Sequence, residues 1–151
     1  MAQPEADLGI VDALAQLSFL VQGMLAKRAA AHDLSMIQTR LLGVLRDREP
    51  TMQELARLLE LDKSSATGLV DRAEKRGLVK RTPSIEDRRS IRVTLTPLGR
   101  RIVSDAAGAF QTDIMSATAC LSTADKKRLA TLATRVITDY GRQLDGRALG
   151  G

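Results

Sequence analysis

The chain has 151 residues, of which 44% are apolar and 27% are charged, and its net charge is +5. These values are typical of one globular domain with a hydrophobic core. The single cysteine, Cys120, cannot form an internal disulfide, and with the single histidine, His32, it cannot complete a zinc site. The chain also lacks a phosphate-binding glycine loop and a nucleophile–histidine arrangement. We therefore expect no enzyme, no cofactor and no metal.

A membrane segment is not expected either. The longest stretch without a charged residue, residues 13–26, has 14 residues, whereas a membrane span needs about 18 or more. Glu5 and Asp7 come before any Lys or Arg, and the first basic residue is Lys27, which is unlike a targeting signal. We expect a cytoplasmic protein without a membrane partner.

The positive charge is concentrated in the central third of the chain. Residues 51–101 contain 12 Lys or Arg and 7 Asp or Glu, and therefore carry the whole net charge of +5. Such a cluster is a solvated face or a surface for a polyanion. Residues 51–101 contain no aromatic residue, although proteins that bind single strands or RNA commonly stack bases on aromatics. The pattern favours double-stranded DNA.

Two helices are predicted at the start of the chain. Apolar residues at helical spacing predict the first helix over residues 8–31. The second begins at Ser35, because Ser35 and Gln38 fit a capping box, and it stops before Pro50.

The next two helices are short and closely spaced. Thr51 begins a third helix with another capping box, and the helix breaks at residues 60–62. Asp62 caps a fourth helix, which Gly77 ends in a left-handed conformation. Residues 51–76 have the dimensions of a helix-turn-helix, although an ordinary helical pair has the same size.

A β-hairpin is predicted after the fourth helix. Residues 78–82 form a short strand, and residues 90–95 alternate, with Ile91, Val93 and Leu95 on one face. The hairpin is strongly basic and contains Lys80, Arg81, Arg88, Arg89 and Arg92. A helix-turn-helix followed by a basic hairpin is a winged helix, whose second helix enters the major groove while the wing reaches a minor groove.

Two longer helices complete the chain. Thr96 and Pro97 begin a fifth helix, which runs to about Ala119, and Ser122 begins a sixth. The sixth has an apolar stripe made of Leu129, Leu132, Val136, Tyr140 and Leu144. The first and last helices have more apolar surface than one small core needs, so we expect a partner for them.

Several segments closely resemble the MarR (multiple antibiotic resistance regulator) family. They are HDLSMIQ at 32–38, LARLLELDKSSATGLVDRAEKRGLVKR at 55–81, EDRRS at 86–90 and VTLTPLG at 93–99. The strong resemblance covers about residues 32–101 and is highly specific because the segments occur together.

The resemblance implies a mainly α fold: a winged helix-turn-helix with a two-stranded wing hairpin and intertwined terminal helices that form a homodimer. It implies a single domain over residues 1–151. The parts are dimerisation helices at 1–34 and 97–145, a winged lobe at 35–96 with the helix-turn-helix at 51–76 and the wing at 78–95, and a flexible tail at 146–151.

The expected DNA contacts on the recognition helix are Lys63, Ser64, Ser65, Thr67 and Gly68. Short hydroxyls in the first turns can reach phosphates or base edges. Gly68 departs from many relatives, which have a long polar or basic residue there, so it either loses a base contact or opens space for a neighbour. Glu60 also departs, because the family usually has Gly there, and a left-handed conformation would strain it. Arg57 and Arg72 are ambiguous, since helix-surface arginines are often solvated.

The expected contacts on the wing are Arg81, Asp87, Arg88 and Arg89. The resemblance implies that Arg89 inserts into the minor groove, with a preference for A·T-rich segments. Asp87 either orients the Arg89 guanidinium or forms a turn, and both roles are compatible. Arg81 and Arg88 are expected at phosphates.

The resemblance implies a sequence-specific transcription regulator, in the usual mode a repressor, that binds a pseudo-palindromic operator in double-stranded DNA. The alternative is a winged-helix protein–protein interaction module without an effector response. Relatives bind small aromatic or phenolic effectors in a crevice near the position of His32, although a lone histidine at a helix junction is often structural. Cys120 is expected to be a small apolar filler rather than a peroxide sensor.

Overall fold

The computed structural model describes residues 8–148, and their side chains as far as residue 145. The described chain is mainly helical and contains one two-stranded antiparallel sheet, which confirms the expected fold class. The elements are α1 (Ile10–Ala30), α2 (Met36–Asp47), α3 (Met52–Leu58), α4 (Lys63–Lys75), β1 (Val79–Pro83), β2 (Ile91–Leu95), α5 (Pro97–Ala117) and α6 (Thr123–Ala148). They form two compact units, with the boundary inside α5, between Thr112 and Asp113.

The predicted helix caps are confirmed. Ser35 Oγ accepts from the Gln38 amide at 3.2 Å while Gln38 Oε1 accepts from the Ser35 amide at 2.9 Å. Thr51 and Glu54 form the same reciprocal pair at the start of α3. The backbone hydrogen bond from Thr51 is the main reason why the pKa of Glu54 lies below its usual value. These side chains satisfy amides that a helix start leaves without partners.

The sheet lies one residue further along the chain than expected. Val79 pairs with Leu95 and Pro83 pairs with Ile91. The first strand therefore includes Pro83, whereas the sequence predicted a strand over residues 78–82 that stops before this proline. Of the three residues expected on one face, Val93 and Leu95 are buried, whereas Ile91 is 46% exposed. Ile91 pairs at the far end of the hairpin, where the core no longer covers the sheet.

A single core holds the winged lobe together. It is built from residues on α2, α3, α4 and both strands, including Leu41, Leu55, Leu69, Val70 and Val93. Helix α5 joins this lobe by close backbone contact at Gly99, where an added Cβ would lie 2.0 Å from the carbonyl oxygen of Leu78. Only glycine fits at this position.

Helix α1 buries little of its apolar surface within the chain. Ala29 is its only fully buried residue, whereas Val11 and Phe19 are more than 70% exposed. By length and composition alone, α1 is also apolar enough to cross a bilayer, with a mean hydropathy of 1.3 in an 18-residue window. The prediction from the uncharged stretch alone did not anticipate this.

Helix α6 likewise exposes its apolar stripe. Leu129, Leu132, Val136, Tyr140 and Leu144 are each at least 40% exposed. The helix continues to Ala148, past the expected start of the tail at Gly146, and residues 149–151 lie outside the described residues. Cys120, between α5 and α6, is exposed, so its expected role as an apolar filler is wrong for the single chain.

Candidate nucleic-acid interface

The turn between α3 and α4 is tight. Glu60 has a φ of 56°, so it adopts the left-handed conformation in which a residue other than glycine is strained. Asp62 then caps α4, and its Oδ1 accepts from the Ser65 amide at 2.8 Å. This backbone hydrogen bond is the main reason why the pKa of Asp62 lies below its usual value, and it favours the charged form of the cap. Helix α4 is thereby fixed as the second helix of a helix-turn-helix.

The predicted residues of α4 form its exposed side. Lys63, Ser64 and Ser65 are exposed, and Thr67 and Gly68 are partly exposed. The opposite side enters the core through Ala66, Leu69, Val70 and Ala73.

Two hydroxyl groups on α4 use their protons inside the helix. Ser65 Oγ donates to Asp62 Oδ2 at 2.7 Å, and Thr67 Oγ1 donates to the Lys63 carbonyl at 2.8 Å. Their oxygens can still accept hydrogen bonds from a ligand. The hydroxyls therefore offer acceptors rather than donors.

A short turn shapes the tip of the wing. Asp87 Oδ1 accepts from the Arg89 amide at 3.0 Å, and the Asp87 carbonyl accepts from the Ser90 amide at 2.9 Å. Asp87 thus has the turn-forming role that the sequence left open, through the backbone of Arg89. Arg88 and Arg89 are both exposed at this tip.

Arg81 occupies a different environment from the other wing arginines. Its guanidinium donates to Asp71 at 2.6 Å and also to Glu74, both on α4. Burial acts to lower the pKa of Arg81, but the hydrogen bonds and charges of Asp71 and Glu74 outweigh it and raise the pKa. The geometry ties β1 to α4, while a phosphate contact by Arg81 stays a prediction.

Arg92 forms a second bridge, which the sequence reasoning missed. It donates to the Glu49 carbonyl at 2.7 Å and to Ser84 Oγ at 3.2 Å. Glu86 lies 3.4 Å from its Nη2. Arg92 therefore joins the wing to the segment before α3, and only the alternation of β2 hinted that its side chain faces away from Val93.

The backbone at His32 is held by hydrogen bonds from the end of α4. Arg76, at the end of α4, donates to the carbonyls of His32 and Asp33 at 3.0 and 2.7 Å. Asp33 has a φ of 54°, which the sequence reasoning did not anticipate. The His32 backbone is therefore held by the recognition helix.

A cavity of about 270 Å³ lies nearby, between α1, α2 and α5. Its lining is mostly apolar and includes Leu25, Leu34, Leu42, Val103 and Phe110, with Arg40 and Arg46 also present. His32 is not among its lining residues.

Comparison with known proteins matches the same part of the chain. Residues 32–90 match the model of the MarR family. The uncharacterized HTH-type transcriptional regulator YfiV of Bacillus subtilis is 41% identical over 71 residues, which are 46% of this chain and 44% of YfiV. The resemblance to the MarR family is confirmed. The match spans less than half the length of YfiV.

Solved structures extend the likeness of fold to most of the chain. A MepR variant from S. aureus, bound to an oligodeoxyribonucleotide, has a TM-score of 0.61 and 17% identity over 89% of this chain and 99% of that chain. NadR in complex with 4-hydroxyphenylacetate has a TM-score of 0.71 and 20% identity over 90% of this chain and 97% of that chain. The likeness of fold therefore includes the terminal helices as well as the lobe.

Proposed function

We propose that the protein is a sequence-specific transcription regulator that binds double-stranded DNA. The observation that carries this proposal is the pairing of an exposed, capped recognition helix with a basic wing tip. In the described part of the chain, Arg88 and Arg89 have no acidic side-chain partner among the hydrogen bonds and ion pairs. Lys63 and Ser64 in the first turn of α4 are exposed as well. Lys63, Ser64, Ser65, Thr67 and Gly68 would face the major groove and Arg88 and Arg89 the minor groove or phosphates.

The active form we propose is a homodimer. Helices α1 and α6 each present large apolar side chains to solvent, and exposed apolar surface of this extent is typical of an interface. A second copy supplies a matching surface by symmetry. A bilayer is a poorer partner for α1, because the helix includes Asp12, Lys27 and Arg28. The dimer would act in the cytoplasm as a repressor on a pseudo-palindrome whose half-sites are about 10 base pairs apart.

The apolar cavity supports a further part of the proposal, a small-molecule effector. Its volume of about 270 Å³ and its apolar lining suit a small aromatic ring, and Arg40 or Arg46 would pair with a carboxylate or phenolate. NadR, a relative in fold, was solved with 4-hydroxyphenylacetate. We propose an aromatic acid or phenol in this cavity, with His32 shaping the neighbouring backbone.

Titration with random-sequence duplex DNA at several salt concentrations tests the main proposal. A DNA-binding regulator should lose affinity steeply as salt rises, because bound phosphates release counterions. It should also enrich a palindromic site from a random library. Binding to acidic proteins without binding to duplex DNA would instead support the alternative, a protein–protein interaction module.

A further inference from the structure

Gly68 leaves an opening on the exposed face of α4, and Arg72 fills it. A Cβ added at Gly68 would lie 3.3 Å from Nη1 of Arg72. Residues four apart lie on the same face of a helix, and helical side chains lean towards the N-terminus. The guanidinium of Arg72 therefore lies where a side chain at position 68 would project.

The neighbouring acids leave Arg72 available. Asp71 and Glu74 both accept hydrogen bonds from Arg81, on the side of the helix that faces the wing. Among the contacts described for residues 8–148, the Arg72 side chain has no hydrogen bond or ion pair, and Arg72 is exposed. Its five N–H donors are free for a ligand.

The position of the Arg72 guanidinium matters because few other groups on α4 can donate hydrogen bonds to a base edge. The hydroxyls of Ser65 and Thr67 donate within α4, so they leave only acceptors for a base edge. Guanine presents two acceptors, N7 and O6, in the major groove, and arginine contacts both in a bidentate manner. Lys63 and Ser64 are also exposed donors on α4, but Arg72 has the planar fork that matches two acceptors at once.

We propose that Arg72 is a specificity-determining residue that contacts a guanine in the major groove, and that Gly68 is the opening through which its guanidinium reaches the base. The proposal rests on the proposed function and deepens it. Glycine destabilises a helix interior relative to alanine. At position 68 its lack of a side chain leaves the space that the Arg72 guanidinium fills.

Selection from a random-sequence duplex library tests this role with the full chain. The proteins are the wild type, R72Q, R72K and G68Q, with R57Q as a control that removes an exposed arginine from α3 instead. The wild type and R57Q should enrich the same guanine in each half-site. R72Q should lose that preference, and G68Q should lose or change it at the same position, because its side chain displaces Arg72. R72K should keep only part of it, since lysine cannot form the bidentate contact.

Affinity measurements on the selected operator complete the test. Replacing the guanine pair should weaken wild-type binding by about 10- to 100-fold and leave R72Q nearly unaffected. Circular dichroism checks that each variant is folded, and R72K and G68Q decide the matter if R72Q is not.

Three outcomes would overturn the proposal. If R72Q weakens binding equally on all duplexes and lowers the salt slope by about one, Arg72 is a phosphate contact. If R72Q matches the wild type throughout, Arg72 is a solvated arginine. In both cases DNA recognition itself survives, whereas a wild type that enriches no sequence overturns the proposed function together with this one.

Discussion

The winged lobe and the terminal helices use their apolar residues in opposite ways. In the lobe, Leu55 and Val93 are completely buried by neighbours in the same chain, while in α1 and α6 residues such as Phe19 and Ile137 are more than 70% exposed. The lobe therefore has its stabilising contacts within one chain. Within the described residues, the apolar side chains of the terminal helices have no such cover. We therefore expect the contribution of these helices to stability to depend on association with a second copy.

Leu55→Ala and Leu132→Ala would test this difference most strongly. Leu55 is fully buried, so its truncation should lower the free energy of unfolding by about 2–5 kcal/mol through the cavity that it leaves. The loss should not depend on protein concentration. Leu132 is 46% exposed, and its truncation should act by weakening the dimer, with an effect that grows as the protein is diluted. Denaturant titrations and sedimentation at several concentrations measure both.

If the loss of stability depended on protein concentration to the same extent in both variants, the proposed difference between the lobe and the terminal helices would be wrong. A folded wild-type monomer of about 16 kDa at micromolar concentration would also contradict the dimer.

Gly99→Ala and Gly108→Ala test how tightly α5 is joined to the lobe. The alanine methyl at position 99 would lie 2.0 Å from the Leu78 carbonyl oxygen, so backbone must move. We expect a loss of about 1–3 kcal/mol or more in the free energy of unfolding. Gly108 lies on the same helix with nothing within 4 Å, so its alanine variant should gain about 0.5–1 kcal/mol. Thermal denaturation that ranks the two variants in the reverse order would contradict the close contact.

A similar contrast exists within the lobe, between arginines at the tip of the wing and arginines at its base. Arg89→Ala should leave the stability unchanged, weaken DNA binding by about 1–3 kcal/mol and lower the salt slope by about one. The weakening should be largest on A·T-rich flanks. Arg81→Ala should instead lower the melting temperature, because it leaves Asp71 and Glu74 without their partner. Binding titrations and melting curves separate the two, and an Arg89→Ala variant with unchanged affinity on every flank would show that the wing is not inserted.

The same contrast explains which features the sequence could predict. The caps at Ser35, Thr51 and Asp62 need partners only three residues away, so the local sequence was sufficient. Arg76 and Arg92 bind carbonyls 43 or 44 residues distant. From the sequence, both arginines contribute only to the positive charge of residues 51–101. The folded chain shows that their guanidinium groups already donate hydrogen bonds to carbonyls of the same chain.

The recognition helix shows the same limit at closer range. The departure at Gly68 was visible from the resemblance, and so was the choice between a lost contact and space for a neighbour. Arg72 Nη1 lies 3.3 Å from where a Cβ at Gly68 would be, which favours the second reading, and Asp71 and Glu74 are bound by Arg81 from another element. Sequence alone identifies the opening but not its occupant.

The smallest expected effect concerns two threonines at the end of β2. The hydroxyl of Thr94 is buried and has no hydrogen-bond partner within the described chain, whereas Thr96 Oγ1 donates to the Gly77 carbonyl at 2.5 Å and accepts from the Gly99 amide at 3.0 Å. Valine has nearly the same shape as threonine but no hydroxyl. Thr94→Val should therefore raise the free energy of unfolding by about 1 kcal/mol, because it removes the penalty of burying an unpaired polar group. Thr96→Val should lower it by a similar amount, about 1 kcal/mol, since it leaves the Gly99 amide without its acceptor. Denaturant titrations of the two variants should give changes of opposite sign, and a destabilised Thr94→Val would mean that this hydroxyl has a partner after all.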